Sequence, residues 1–200
     1  NKINASIVEH YPTSNWYLIE TPMGALNAHD FLGASSMIID VAFDKTINLT
    51  TANTNDPLIG DVWGLNNLHG VDAETAWSVS SGAGEVVVAV IDSGVDINHP
   101  DLSSIIWNND NEIPNNGIDD DSNGFIDDVN GWDFTSEYDN SPQDEHGHGT
   151  HVSGTIAAIR NNSVGIAGVA DNVKIMPLRF LDKDGNGVTS WAIAALEYAV

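Results

Sequence analysis

The sequence predicts an α/β fold: an incomplete, doubly wound, mostly parallel sheet preceded by a small α+β segment. Two apolar runs, residues 85–92 and 173–180, are typical of strands, and helix-like patterns follow each of them, at 148–159 and from Ser190 onward. The valines of the first run are consecutive rather than alternating, which predicts a strand buried on both faces of a parallel sheet. Strands that alternate with helices in this order build doubly wound sheets.

Composition narrows the classes of function. The 200 residues are 42% hydrophobic, enough for a sizeable core, and acidic residues outnumber basic ones 29 to 6, for a formal net charge of −23. Such a charge excludes nucleic acid and anionic membranes as partners and favours multivalent cations; solubility is the alternative reason for it. Cysteine is absent, so neither disulfides nor a thiolate zinc site is expected. No run approaches the roughly 20 apolar residues of a membrane span.

The chain divides into three predicted parts: residues 1–49, a polar linker at 50–56, and the α/β domain at 57–200. The first part has a strand-like pattern at 15–21, a helical one at 24–35 and a second strand-like run at 37–49. Asn1 is not a methionine, and the helical pattern opened by Ser190 as its cap runs to the last residue. We therefore expect a piece of a longer protein.

An acidic loop at residues 119–128 predicts a calcium site. Oxygen-bearing side chains stand at alternate positions with glycine at the sixth, as in the first half of an EF-hand loop. The twelfth position is Asn130 rather than glutamate, so another carboxylate has to close the shell. The alternative is a solvated acidic insertion. The predicted ligands are Asp119, Asp121, Asn123, the Phe125 carbonyl and Asp128.

Two further segments carry candidate catalytic side chains. Asp92 ends a buried strand and is followed by Ser93 and Gly94, at the edge where α/β sheets display active-site groups; alone, it could equally be a turn or cap residue. His148 lies in a glycine- and histidine-rich stretch, 144–155, that opens a helix. Read in isolation, this stretch fits metal binding as well as catalysis.

Taken together, these segments resemble the aspartate and histidine signatures of the subtilases, a family of serine proteases. The matching stretches are 88–96 (Val-Ala-Val-Ile-Asp-Ser-Gly-Val-Asp), 99–102 (His-Pro-Asp-Leu) and 147–155 (Gly-His-Gly-Thr-His-Val-Ser-Gly-Thr), with weaker matches at 161–170 and 184–187. The resemblance implies a secreted serine endopeptidase with an Asp-His-Ser triad, in which Asp92 orients His148 and His148 shuttles the proton of the serine.

The resemblance leaves the nucleophile unassigned. The family places its serine in a Gly-Thr-Ser-Met-Ala type turn, and no such segment occurs in the sequence. We expect the serine and the oxyanion asparagine beyond Val200, and the 200 residues alone to be inactive. His146 is interpreted as a turn residue and His151 as a packing residue of the helix.

The resemblance also implies binding residues. Gly185, Asn186 and Gly187 match the edge segment on which the family lays an extended peptide as an added strand; an ordinary Gly-Asn-Gly turn is the alternative. A second calcium ion would tie the start of the domain to its body. The implied ligands are the side chains of Asp56, Asp101 and Asn162 and the carbonyl groups of Arg160, Val164 and Ile166.

Residues 1–49 are interpreted as the tail of an inhibitory propeptide, with a permanent N-terminal extension as the alternative. The expected cofactor is calcium, and the expected partners are peptide substrates and the protein's own propeptide, in a monomer. Two other functions stay open. One is a catalytically inactive, calcium-binding scaffold or binding module of the same fold; the other is a soluble protein that binds zinc through His146 and His151.

Overall fold

A computed structural model describes residues 4–13, 15–23, 25–41, 54–65, 70–80 and 86–200. The chain forms two compact units, Asn1–Asn48 and Leu49–Val200. Of the linker predicted at 50–56, residues 50–53 lie outside the described part of the chain.

The first unit contains an antiparallel hairpin followed by a helix. Strand β1 (Ser6–Tyr11) pairs with β2 (Trp16–Glu20), and helix α1 spans Ala25–Gly33. The sequence pattern predicted β2 and α1 but not β1, whose β-branched and aromatic residues favour a strand without regular alternation. Of the strand predicted at 37–49, residues 37–41 form turns and irregular backbone, and 42–49 lie outside the described part.

The second unit is built on a parallel sheet of three strands with the order β3-β5-β4, as far as the described residues extend. Its parallel strands and intervening helices confirm the α/β fold that the sequence predicts. In chain order, the helices and strands of this unit are α2 (Ala73–Val79), β3 (Val86–Asp92), β4 (Trp132–Asp133), α3 (His148–Ala157), β5 (Val173–Arg179) and α4 (Thr189–Tyr198).

Helices cover both faces of this sheet. Neighbouring side chains of a strand point to opposite faces, so alternate residues of β3 pack against different helices. In β3, Val88 and Val90 pack in one apolar cluster with Ala157 of α3. Ala89 and Ile91 pack in a second cluster with Ala195 of α4. The sheet is therefore doubly wound, with one hydrophobic layer on each side.

Two details of these elements differ from the prediction. Strand β3 is buried on both faces only toward its end: Val86 is 56% exposed, whereas Val90 is 4% exposed. The reason is that Val86 and Val87 belong to neither of the two apolar clusters that cover the sheet. Helix α4 begins at Thr189 with Val188 as the extended cap residue, so Ser190 lies in the first turn and does not cap the helix.

Among the described residues, no helix has the length and apolar character needed to cross a membrane.

Candidate active site

The end of β3 meets the start of α3, and this junction brings together the two predicted catalytic side chains. Asp92 is the last residue of β3 and His148 the first of α3. Nδ1 of His148 lies 2.8 Å and 2.9 Å from the two carboxylate oxygens of Asp92, although 56 positions separate the residues in the chain. The geometry therefore provides a carboxylate-imidazole pair at the carboxyl edge of the sheet.

This pairing fixes what the imidazole can do. A carboxylate only accepts hydrogen bonds, so Nδ1 of His148 carries the proton and Nε2 keeps its lone pair. The hydrogen bond to Asp92, together with that carboxylate's charge, raises the pKa of His148 above its usual value. The His148 side chain is 59% exposed and that of Asp92 14%. Nε2 of His148 is thus accessible and able to accept a proton.

Glycines allow the strand end and the helix to approach this closely. Gly94 has a φ of +96°, and a Cβ there would lie 2.4 Å from the carbonyl oxygen of Pro142. A Cβ on Gly149, the second residue of α3, would lie 2.1 Å from the carbonyl oxygen of Gly94. A side chain at Gly149 would push α3 away from the end of β3 and separate His148 from Asp92, and one at Gly94 would displace the loop at Pro142 and Gln143 that precedes α3.

The family comparison agrees with this geometry. The family model of the subtilases matches residues 83–200, a range that contains both β3 and α3. The chain belongs to the subtilase family.

Individual subtilases show how much of the chain is shared. Thermitase of Thermoactinomyces vulgaris is 36% identical over 129 residues, 64% of this chain and 38% of thermitase. Subtilisin-like protease 1 of Plasmodium berghei (strain Anka) is 39% identical over 147 residues, 73% of this chain and 24% of that protein. The chain thus spans well under half the length of these relatives.

A solved protease structure from Pseudoalteromonas arctica PAMC 21717 has a similar fold. Its TM-score is 0.55 at 32% sequence identity, and the match covers 73% of this chain and 44% of that one. The shared fold is that of a protease of which the match covers less than half.

The neighbouring histidines lie around the pair without joining it. The ring of His146 is 6.4 Å from that of His148, centroid to centroid, and lies against Gly185. His151 is exposed one turn along α3. In the described part of the chain, the one group of three side chains able to hold a metal contains no histidine. The geometry thus gives no support to a zinc site at His146 and His151.

The predicted substrate segment, 185–187, lies a few residues beyond the end of β5. The N–H groups of Phe180 and Leu181 donate to the Asp92 carbonyl oxygen over 2.8 Å and 3.2 Å, so the chain that leads from β5 to this segment starts beside the end of β3. The segment forms a tight turn: the Asp182 N–H donates to the Asn186 carbonyl, and the Asn186 N–H donates to Oδ1 of Asp182. The hydrogen bond from the Asn186 N–H foremost, and that from the Asp184 N–H, lower the pKa of the Asp182 carboxyl.

The predicted calcium loop contains a compact group of carboxylates. Oxygen atoms of Glu112, Asp119 and Asp121 all lie within 4.8 Å of one another. Glu112 is buried, and one of its oxygens accepts hydrogen bonds from the N–H groups of Asp120 and Asp121. The sequence pattern missed Glu112 because it precedes the loop and breaks its alternation. This cluster is able to hold a metal ion.

The other predicted ligands of the loop lie in an adjoining hydrogen-bond network. Asn123 donates through Nδ2 to Asp128 over 2.9 Å, and the Tyr198 hydroxyl donates to the same carboxylate over 2.5 Å. Burial and the hydrogen bond to Asp128 raise the pKa of Tyr198. Phe125 donates its N–H to Asn123 and packs its ring on Tyr198. Asp128, fully buried, lies outside the group of three carboxylates.

The residues of the second implied calcium site also come together. Asp56 is buried and accepts from the N–H groups of Asn161 and Asn162. Asp101 is buried as well, and accepts from Nδ2 of Asn162 over 2.7 Å and from the N–H of Ile166 over 3.1 Å. Three distant segments therefore meet at these two carboxylates.

The other implied ligands are the carbonyl groups of Arg160, Val164 and Ile166, which lie in the same segment as Asn162. The Val164 N–H donates to Oδ1 of Asn162. The Arg160 guanidinium instead pairs with Asp171 and lies 4.5 Å over the Trp77 ring.

Proposed function

We propose that the full-length protein is a secreted serine endopeptidase that hydrolyses peptide bonds through Asp92, His148 and a serine supplied by the rest of the protein. The observation that carries the proposal is the contact of 2.8 Å between Nδ1 of His148 and Asp92. In the described part of the chain, no hydrogen bond joins His148 to a serine hydroxyl. The chain spans only 38% of the length of thermitase, which is compatible with a serine that lies in another part of the full-length protein.

The geometry suits acyl transfer. Nε2 of His148 takes the proton of the serine hydroxyl as the serine oxygen attacks the carbonyl carbon of the peptide bond. The imidazolium that forms is stabilised by Asp92, and it then gives the proton to the amine leaving group. Water releases the acyl group by the same proton transfers in reverse order.

The proposed substrates are extended peptides. The chain that leads from β5 to segment 185–187 starts beside Asp92, so a peptide that pairs with the backbone of this segment would pass close to His148. Main-chain pairing fixes the direction of a peptide without reading its side chains, and broad specificity is therefore part of the proposal.

The proposed cofactor is calcium, bound in two regions. The carboxylates of Glu112, Asp119 and Asp121 supply the oxygen atoms that this cation prefers. The buried Asp56 and Asp101 supply two more at the second region. A cation at either place would offset carboxylate repulsion and join segments far apart in sequence, in a chain that has no cysteine.

Residues 1–49 are proposed to be the tail of an inhibitory propeptide, the protein's own partner before maturation. The observation in its favour is that Asn1–Asn48 forms a compact unit of its own, distinct from Leu49–Val200.

Mutation of single histidines in the full-length protein tests the catalytic assignment. His148→Ala should lower kcat for a peptide substrate by a factor on the order of 10⁶, because the general base is lost. His151→Ala, one turn along the same helix, is the matched control and should retain most activity, as should His146→Ala. Equal losses in His146→Ala and His148→Ala would contradict the assignment.

A further inference from the structure

We propose that Asp144 is a positioning residue of the catalytic pair, and that its carboxylate fastens the end of β3, which carries Asp92, to the start of α3, which carries His148. The inference rests on the proposed function, since it assigns a role within that site. Sequence reasoning gave Asp144 no role, although an aspartate just before a predicted helix is a recognised signal for a cap.

Asp144 holds the first turn of α3. Its Oδ1 accepts hydrogen bonds from the N–H groups of His146 and Gly147, over 2.9 Å and 2.8 Å. Its Oδ2 accepts from both the N–H and the hydroxyl of Thr150, over 2.9 Å and 2.6 Å. The first N–H groups of a helix have no partner within the helix, so this carboxylate fixes the backbone on both sides of His148.

The same carboxylate reaches the end of β3 through a serine. The Ser93 hydroxyl donates to Oδ1 of Asp144 over 2.9 Å, and its oxygen accepts from the Gly149 N–H over 2.9 Å. The Ser93 N–H donates to Oδ1 of Asp92 over 2.7 Å. Ser93 is 1% exposed, so water does not compete for these bonds.

A second bridge runs through Thr150. Its hydroxyl oxygen accepts from the Asp96 N–H over 2.9 Å while the hydroxyl donates to Asp144. Two independent chains of hydrogen bonds therefore connect Asp144 to the segment that follows Asp92. Loss of the carboxylate would release both, and the distance from Asp92 to His148 would no longer be fixed.

Asp144 also acts on His148 through its charge. Although burial works in the opposite direction, the hydrogen bonds from Thr150 and Gly147 keep the pKa of Asp144 below its usual value, so the group is anionic at neutral pH. Its charge adds to the hydrogen bond and charge of Asp92 in raising the pKa of His148. A further titratable group near the ring is His146, whose ring centroid lies 6.4 Å from that of His148.

Kinetics of Asp144→Asn in the full-length protein test the proposal. We expect kcat to fall about tenfold to a hundredfold with KM changed less than about threefold, because a small misplacement of a catalytic group is costly. The acid limb of the profile of kcat against pH should move to lower pH, since the imidazolium loses a stabilising anion. Asp139→Asn, which removes the same charge from an exposed residue, should change neither.

A titration of the His148 ring by NMR separates this proposal from the proposed function. The pKa of His148 should be lower in Asp144→Asn than in the wild-type protein and unchanged in Asp139→Asn, whether or not the protein cleaves peptides. A variant with a lower melting temperature but unchanged kcat, acid limb and His148 titration would show that Asp144 only caps the helix, and would overturn the proposal.

Ser93→Ala provides a second variant in case Asp144→Asn does not fold. It removes one bridge, together with the acceptor of the Gly149 N–H, and keeps the Asp144 charge and its hydrogen bonds to α3, so kcat should fall severalfold with no shift of the acid limb. An unchanged kcat in Ser93→Ala would overturn the role of the bridge.

Discussion

Arg179 shows how a single side chain holds together the surroundings of the site. It ends β5 beside Asp92 in the parallel register and is 4% exposed. One guanidinium nitrogen lies 3.3 Å from Asp133, which is fully buried, and another lies 2.7 Å from Glu145. Burial, the main effect, raises the pKa of Asp133 despite this pairing. The positive charge of Arg179 therefore compensates the negative charge of a carboxylate that has little access to water.

Removal of this cation should destabilise the protein strongly. We expect Arg179→Met to lower the free energy of unfolding by about 3 kcal/mol, because a buried carboxylate is left unpaired. The measurement is denaturant unfolding of the full-length protein with its activity blocked.

Two further variants show whether Asp133 is the cause. Adding Asp133→Asn to Arg179→Met should restore part of the loss. Lys183→Met, which breaks an ion pair in which both side chains are about two-thirds exposed, is the control and should leave the free energy of unfolding nearly unchanged. Equal effects of Arg179→Met and Lys183→Met would contradict this account.

Sequence alone could predict some of these residues and not others. Asp92 and His148 lie in long local signatures whose neighbours, Gly94 and Gly149, are required by the close approach of the backbones. The roles of Asp144 and Arg179 depend on segments that meet only after folding, such as Ser93 with Asp144 across 51 positions. A contact between segments so distant in sequence leaves no pattern in the local sequence.

Among the elements, burial decided what could be predicted. Strand β5 was predicted to within a residue, because its apolar run is at least partly buried throughout, and helix α3 was predicted to within a few residues. Strand β1 was missed, since all six of its residues are exposed and no face of it is apolar throughout. The exposed start of β3 was also missed, because a local run of valines does not show which of them have an apolar cluster to pack against.

The acidic loop is an element whose order should depend on a cation. Glu112, Asp119 and Asp121 repel one another at short range without a counter-ion. Calcium bound only by the folded protein would stabilise it by about 2.7 kcal/mol at a hundred times its dissociation constant. We expect calcium to raise the melting temperature of the full-length protein, and magnesium to raise it much less, because magnesium demands a stricter geometry.

Calorimetry with and without a chelator measures this effect. Asp121→Asn should remove one part of the calcium response and Asp101→Asn another, because the two regions are separate. Asp110→Asn, an exposed neighbour of the loop, is the control. Equal melting temperatures in chelator and in calcium would contradict both sites, and loss of the whole response in Asp101→Asn would leave the loop as a solvated insertion.

At the scale of the whole molecule, the fold class could be predicted because the alternation of strands and helices along the chain is typical of a doubly wound sheet. Strand β3 displays Asp92 at the carboxyl edge of the described sheet, and helix α3 begins beside it with His148. Side-chain specificity could not be predicted, since it depends on pocket walls formed by several segments of the folded protein.

The central claim is that Asp92 and His148 activate a serine nucleophile. Labelling of the full-length protein with a fluorophosphonate, followed by mass spectrometry of the labelled peptide, tests it most directly. We predict that one serine outside residues 1–200 reacts in the wild-type protein, and that His148→Ala reduces the labelling rate by at least about a thousandfold. Labelling of a serine within residues 1–200, or an equal rate in His148→Ala, would contradict the account.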